Sequence, residues 1–297
     1  MRVVVARDWA AEDMIDLART ALLAVLATGL GILVWWLIIP TEGVYLGRRM
    51  VIWLYDRFAD RYDRIKRYDA EYEHWFLATP LLHAIAPHRS PLVLDVATGT
   101  GRMPLALMDH EDFHGRVIGV DLSREMLRRA GHKLAPYGDR VALLWCPAED
   151  LPFADSSFDV VTCLEALEFT SDSKAVVKEL IRILRPGGLL LITNRINTRL
   201  MPGRIWSDEQ VHTLLGSSGI EHISPEVWQM DYKKVWGLKT GESPVVGARP
   251  LAEVLCCPRC RESLMIEQDA KWVCANCGAQ ASVGRDRVIE LASLYKK

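Results

Sequence analysis

The apolar and polar positions of this chain change rhythm several times, and each rhythm predicts a different element. From Ala21 to Ile39 the sequence ALLAVLATGLGILVWWLII runs for 19 residues without a charge, Thr28 being its one polar side chain. As a helix this stretch is about 28 Å long, close to the hydrocarbon thickness of a bilayer. Trp35 and Trp36 suit the membrane interface, and Pro40 stops the helix. A buried core helix would keep a polar stripe, and a cleaved leader would have a shorter apolar run, about 7 to 15 residues, ahead of a small-residue cleavage site. The pattern predicts a retained transmembrane helix over 21–39 after an N-terminal segment, 1–20. Within 41–80, apolar residues recur at Val51, Leu54, Phe58, Tyr62, Ile65, Tyr68, Tyr72 and Trp75, spacings of three and four with charges between. That is one face of an amphipathic helix or a broken pair, packed on the next domain or laid on the membrane surface.

Beyond residue 90 the rhythm becomes that of alternating buried strands and helices. Apolar runs at 91–96, 116–121, 141–145, 158–164 and 189–193 read as strands, with a helix at 175–184 and a turn, RPGG, at 185–188. EHISPEVWQM and YKKVWGLK read as a final antiparallel pair. Such alternation predicts an α/β fold with a doubly wound sheet that binds its ligand at the carboxyl ends of the strands. Ser123 and Ser207 are placed as helix N-caps, the latter in a capping box with Gln210.

The loop after the first strand, DVATGTGR, holds Gly99 and Gly101, which allow tight turning and close backbone approach to a ligand. The second strand ends in Asp121, about 20 residues on, where such folds grip a ribose diol. A dinucleotide loop would have a third glycine where Pro104 stands, and Asp95 would repel a diphosphate. The loop fits a cationic nucleoside better.

VLDVATGTGR, VIGVDLSREML, AEDLPFADSSFDVV and ILRPGGLLLIT, in this order and spacing, resemble the class I S-adenosylmethionine-dependent methyltransferases, most closely the ubiquinone/menaquinone group. YDRFADRYDRI, at 55–65, resembles the opening helix of that group. The resemblance implies a Rossmann-like, seven-stranded sheet over 81–240. It makes Asp95 and the loop Ala97, Thr98, Gly99, Thr100 and Gly101 the holders of the methionine moiety. Asp121 takes the ribose hydroxyls, Leu122 and Met126 flank the adenine, and Ala148 with Glu149 border its edge. Relatives commonly carry an aspartate where this chain has Pro147, so adenine recognition there falls to the backbone. Methyl transfer is an in-line displacement that alignment and desolvation can drive, so no catalytic residue is specified. His74, His83 and His212 are candidate bases, and Cys163 lies near the expected transfer site. Arg195, Arg199 and Arg204, on the insertion that would cover the acceptor, are candidates for an anionic head group.

After a Gly/Pro-rich linker, 241–250, the segment 251–297 holds CPRC and CANC. Two C-x-x-C pairs place Cys257, Cys260, Cys274 and Cys277 around a structural Zn²⁺, and a segment this short needs such a staple. Cys256 is an alternative to Cys257. The segment also resembles the zinc-ribbon activator subunits that bind tRNA, rRNA and translation-factor methyltransferases.

Composition sharpens this reading. With 36 Lys+Arg against 38 Asp+Glu, no global charge points to nucleic acid. Seven cysteines, five of them between Cys256 and Cys277, argue for metal rather than a disulfide framework. Arg48, Arg49, Arg57, Arg61, Arg64, Lys66 and Arg67 follow the apolar helix and Arg2, Arg7 and Arg19 precede it, favouring a single-pass protein with its catalytic domain in the cytoplasm. The leading expectation is a membrane-anchored methyltransferase for a lipophilic acceptor, a quinone or lipid precursor. The alternatives are a protein or RNA methyltransferase that recognises its target through the ribbon, and a non-catalytic membrane scaffold. Nothing in the pattern specifies an oligomer.

Overall fold

A computed structural model describes residues 9–196 and 201–295. The first helix, α1 (Trp9–Ile38), is longer than the apolar run. Its more polar early turns carry an exposed pair, Asp16 with Arg19 at 3.4 Å, and none of the apolar window within Asp13–Ile38 is buried against the rest of the chain. The helix is long and apolar enough to cross a membrane. It ends in an elbow. The Thr41 hydroxyl donates to the carbonyls of Trp36 and Leu37 at 3.1 and 2.9 Å, and Trp36 stacks on Tyr45 with ring centroids 5.1 Å apart. At Gly43, φ is +75°, and a Cβ there would come within 2.9 Å of Met50 and Leu54.

The amphipathic stretch is a series of short pieces: α2 (Arg48–Phe58), α3 (Tyr62–Ile65), α4 (Ala70–Glu73) and α5 (Thr79–Ala84). Val51, Leu54, Leu77 and Leu81 are buried against the central domain. Val51 and Leu54 of the expected face are therefore packed inward, while Phe58, Ile65 and Trp75 of it stay exposed.

The central sheet alternates β1 (Leu92–Val96), α6 (Arg102–Met108), β2 (Arg116–Asp121), α7 (Arg124–Leu134), β3 (Val141–Trp145), β4 (Phe158–Cys163), α8 (Ser173–Ile183) and β5 (Leu184–Arg195). Then come α9 (Asp208–Ser217), β6 (Ile220–Gln229) and β7 (Tyr232–Lys239). The fully buried β1 and β4 explain why those runs lack alternation. Both expected caps form: Ser123 accepts from the Met126 N–H, and Ser207 with Gln210 makes a complete capping box. The RPGG turn lies inside β5. Leu184 pairs with Phe158 and Leu189 with Val160, so the intervening residues bulge out of the ladder. Arg185 in that bulge donates to the buried Asp159 at 2.7 Å.

The C-terminal segment forms a small antiparallel sheet of β8 (Met265–Gln268), β9 (Lys271–Cys274) and β10 (Gln280–Ser282). It then adds β11 (Val288–Ile289) to the main sheet, in parallel with β3. The order is β11-β3-β2-β1-β4-β5-β7-β6: the seven expected strands plus an eighth. The ribbon docks on its own chain. Leu144, Leu151 and Phe153 share one core cluster with Leu255, Met265, Trp272 and Leu291. The linker is pinned rather than free, since Val246 and Gly247 donate their N–H groups to Asp159. Arg124 grips Asp286 through both terminal nitrogens and Glu290 through Nε.

Gly131 of α7 lies under this segment, and a Cβ there would stand 2.4 Å from the Asp286 carbonyl oxygen. Helix propensity alone makes Gly131→Ala stabilising by about 1 kcal/mol; the collision reverses the sign, with a loss of about 1–3 kcal/mol. Thermal unfolding of the detergent-solubilised chain checks this, and a raised melting temperature would disprove the close docking.

Candidate functional site

Two adjoining hollows open at the carboxyl ends of β1, β2 and β4. The larger has about 800 Å³ of empty space and the second about 540 Å³. Tyr62, Ala97, Gly99, Leu164 and Glu165 line both.

The glycine loop is shaped by backbone that few residues tolerate. Ala97, Gly99 and Gly101 have φ of +57°, +56° and +84°. A Cβ on Gly99 would meet nothing within 4 Å, whereas one on Gly101 would meet Leu134 at 2.8 Å. Gly101 thus serves packing against α7, and Gly99 leaves the hollow open. The Gly99 N–H donates to Asp121 at 2.8 Å, and the Ser123 N–H donates to the other oxygen at 2.7 Å. Burial pushes the Asp121 carboxyl up to about 6 against the pull of these N–H donors. Asp95 is likewise pushed up to about 6 by burial, opposed by the hydroxyls of Thr162 and Thr98, each donating at 2.6 Å.

The larger hollow is mainly apolar and aromatic. Leu122, Ala148, Glu149, Ala166 and Phe169 form one side, and Arg48, Val51, Ile52 and Tyr55 of α2 form the other. Glu149 pairs with Arg48 at 3.5 Å. Asp56 of α2 reaches the start of α7, where it accepts from Ser123 Oγ at 2.5 Å and the Glu125 N–H at 3.2 Å. The smaller hollow is charged and holds Asp95, Thr98, Thr100, Arg102 and Lys66. Glu165 accepts from Lys66 at 2.9 Å and Arg102 at 2.6 Å, and Arg102 also donates to Glu73 at 2.6 Å. Burial alone would raise the Glu165 carboxyl, but the two cations hold it below its ordinary value. Tyr68 Oη, Arg102 Nε and Glu73 Oε2 are buried without a hydrogen-bond partner.

Of the expected residues, Asp95, Ala97, Thr98, Gly99 and Thr100 meet Asp121, Leu122, Ala148 and Glu149 around these hollows, and Gly101 lines neither. Met126 is set apart. It is fully buried and lines neither hollow, whereas Leu122 lines the larger one. None of His74, His83 and His212 lines either hollow: His74 stacks on His110, and the other two are exposed. Cys163 is buried within β4, and that burial raises its thiol. Arg195 is held by Met201 Sδ and over the Tyr232 ring, Arg204 donates to the Thr170 carbonyl, and both lie away from the two hollows. Arg199 lies outside the described residues. Sequence reasoning missed Lys66, Glu73, Arg102 and Glu165, whose charges sit on short helices or at a strand end with no motif to distinguish them.

Away from the cleft, the sulfurs of Cys257, Cys260, Cys274 and Cys277 all lie within 4.8 Å of one another, with two pairs at 3.6 Å. Tetrahedral Zn–S bonds of about 2.3 Å put sulfurs about 3.8 Å apart, so the cluster is compatible with zinc. Cys256 is outside it, with its N–H on the Pro152 carbonyl.

Residues 94–192 match the family described as methyltransferase domain. The chain carries a class I methyltransferase domain. Its similarity to curated proteins is partial. It is 34% identical over 142 residues to a ubiquinone/menaquinone biosynthesis C-methyltransferase of Syntrophotalea carbinolica, covering 47% of this chain and 58% of that protein. It is 38% identical over 117 residues to a demethylmenaquinone methyltransferase of Porphyromonas gingivalis, covering 39% and 46%. The chain thus spans about half the length of the curated relatives it matches. The fold of the methyltransferase domain recurs in a chain from the complex between the Haloferax volcanii Trm112 methyltransferase activator and a candidate methyltransferase, with TM-score 0.50, 23% identity, and 63% of this chain and 98% of that one covered. It recurs also in a candidate S-adenosyl-L-methionine-dependent methyltransferase of Methanococcus maripaludis, with TM-score 0.51, 18% identity, and 64% and 95% covered.

The ion cluster in the methyltransferase domain gives a stability prediction. Glu165→Gln leaves Lys66 and Arg102 without their shared anion, and urea unfolding should register a loss of about 1–3 kcal/mol.

Proposed function

We propose that this chain is a membrane-anchored S-adenosylmethionine-dependent methyltransferase that acts on a lipophilic acceptor of the quinone or lipid-precursor type. The observation that carries the reading is the division of the cleft. An apolar hollow with Asp121 at its edge suits a nucleoside, and the charged hollow beside it, with Asp95 and Glu165 facing Lys66 and Arg102, suits an amino acid zwitterion. The orphaned Tyr68 Oη and Arg102 Nε in and beside the charged hollow are polar groups that a ligand could satisfy. The names of the curated relatives support a quinone-like acceptor.

When bound, S-adenosylmethionine supplies an electrophilic methyl carbon on a sulfonium. The chain's part is to align and to exclude water. Asp121 accepts from the ribose hydroxyls in place of the Gly99 N–H, Leu122 and Ala148 bracket the base, and the 97–101 loop with Asp95 fixes the amino acid end. Tyr55, Tyr62 and Phe169 of the apolar hollow offer flat surfaces to an aromatic acceptor beside the methyl group. Desolvation of the pair in this enclosure favours displacement, in which the positive charge on sulfur is lost.

The four cysteines hold a structural Zn²⁺ in this reading. The ribbon braces the strand-to-loop segment that ends the apolar hollow: the Cys256 N–H donates to the Pro152 carbonyl, Arg261 donates to the Leu151 carbonyl at 3.0 Å, and Leu255 bridges to Phe153. Ala148 and Glu149 lie just upstream. Stripping the metal with a chelator should therefore weaken S-adenosylmethionine binding as well as lower the melting temperature, and calorimetry showing unchanged affinity in metal-free protein would separate the ribbon from the cleft.

Calorimetry also tests the cofactor site. Asp121→Asn should lose about 10- to 100-fold in affinity for S-adenosylmethionine. In the free protein both buried carboxyls take up protons as the pH falls through about 6. Donor hydroxyls prefer the ionised Asp121, so affinity should be full above pH 6 and decline by up to about tenfold per unit below it. Absence of binding at pH 7.5 would favour the scaffold reading. For the acceptor, total membranes are incubated with methyl-labelled cofactor and split into lipid, RNA and protein fractions. Label is expected in lipid, and label confined to RNA or protein would replace this acceptor class.

A further inference from the structure

The outer face of α2 has no role in the cleft, yet it carries a distinct pattern. Leu46 just before the helix is 45% exposed and Trp53 is 57% exposed. Arg49 and Arg57 are exposed as well. Positions 49, 53 and 57 recur every four residues, so they form one stripe along the helix, with Leu46 exposed just before it, across the non-helical Gly47 (φ +92°). Neither arginine engages an acid among the described residues. The opposite face is committed, with Val51 and Leu54 buried and Tyr55 against the cleft.

The elbow fixes where this stripe lies relative to α1. Gly43 donates its N–H to the Leu37 carbonyl at 3.0 Å, and its missing Cβ is what lets Met50 and Leu54 close over it. With Tyr45 stacked on Trp36, Met50 and Leu54 of α2 close on the elbow at the end of α1. If α1 spans the bilayer, Trp35 and Trp36 mark the interface, and α2 starts beside it.

We propose that the Leu46–Arg49–Trp53–Arg57 stripe lies in the headgroup layer of the bilayer, with α2 as the partition between lipid and cleft. Apolar and indole groups enter the acyl boundary while the arginine stems snorkel to anionic phosphates. Its inner face then presents Ile52 and Tyr55 to the apolar hollow, so an acceptor dissolved in the membrane reaches the cleft around one helix without crossing bulk water. This rests on α1 being membrane-spanning, and it goes beyond anchoring because it gives the domain a fixed face toward the lipid.

The test uses the full chain in nanodiscs of phosphatidylcholine with phosphatidylglycerol. The photo-crosslinker p-benzoylphenylalanine replaces Trp53, Leu26 of α1, or Ile266, an exposed apolar residue of the ribbon, in separate proteins. Lipid adducts are read by mass spectrometry. The expected result is adducts at 26 and at 53, the latter at least about tenfold above position 266. Adducts at 26 without adducts at 53, or crosslinks from 53 to a second protein chain, overturn the proposal while leaving the anchor intact. No adducts at 26 overturn the membrane-spanning reading on which it rests. Position 46 serves as a second probe of the same stripe where the Trp53 variant fails to fold.

Discussion

The arrangement of the whole chain depends on satisfying one buried carboxylate. Asp159, only 5% exposed at the start of β4, accepts from Arg185 Nε and from the N–H groups of Leu92, Val246 and Gly247. A buried anion without partners costs several kcal/mol, so each donor is held in place by the need to supply it. Those donors come from the start of β1, from the bulge in β5 and from the segment leading to the ribbon. One side chain thus sets two adjacent strands, justifies the four-residue bulge and fixes the direction in which the C-terminal segment leaves. The methyltransferase sheet and the cysteine module are consequently one packed body rather than two domains on a tether.

At the opposite end of the same strands the rule is relaxed. Asp95 and Asp121 are buried with fewer strong partners, and their raised affinity for protons registers that deficit. Glu165 is more fully paired, with Lys66 and Arg102, and its acidity is correspondingly strengthened. Asp159 at the amino end of its strand is spent on architecture, while Asp95 and Asp121 at the carboxyl ends keep unused capacity to accept hydrogen bonds. That asymmetry is what makes one end of the sheet a site.

How much of this could be read in advance follows from the range of the interactions. Strands, caps and the glycine loop are encoded locally, by apolar runs, by Ser123 and Ser207, and by residues that tolerate a positive φ. The four cysteines were legible because metal ligands need fixed spacing, and Asp121 because its place follows from the loop before it. The Lys66, Glu73, Arg102 and Glu165 cluster was not, since its members come from separate elements and their meaning arises only from juxtaposition. Which residues of the first turn of α7 face the hollow was not legible either, since Leu122 lines it and Met126 is buried behind. The linker 241–250 is legible as a Gly/Pro-rich stretch, yet backbone N–H groups carry no compositional signal for the acceptor they meet. The length of α1 exceeded the apolar run because helices continue through polar residues when nothing interrupts them.

The eighth strand has a consequence in time as well as in space. β3 gains its outer neighbour from residues 288–289, which follow every other strand in the chain. During synthesis the N-terminal helix emerges early, and the nascent sheet keeps its β3 rim unpaired until the cysteine module has been made. An unpaired rim is a template for wrong partners, and the module that closes it carries the four clustered cysteines. Where those cysteines take the proposed metal, its supply would govern the yield of correctly completed molecules, and a shortage would leave chains with an open seam.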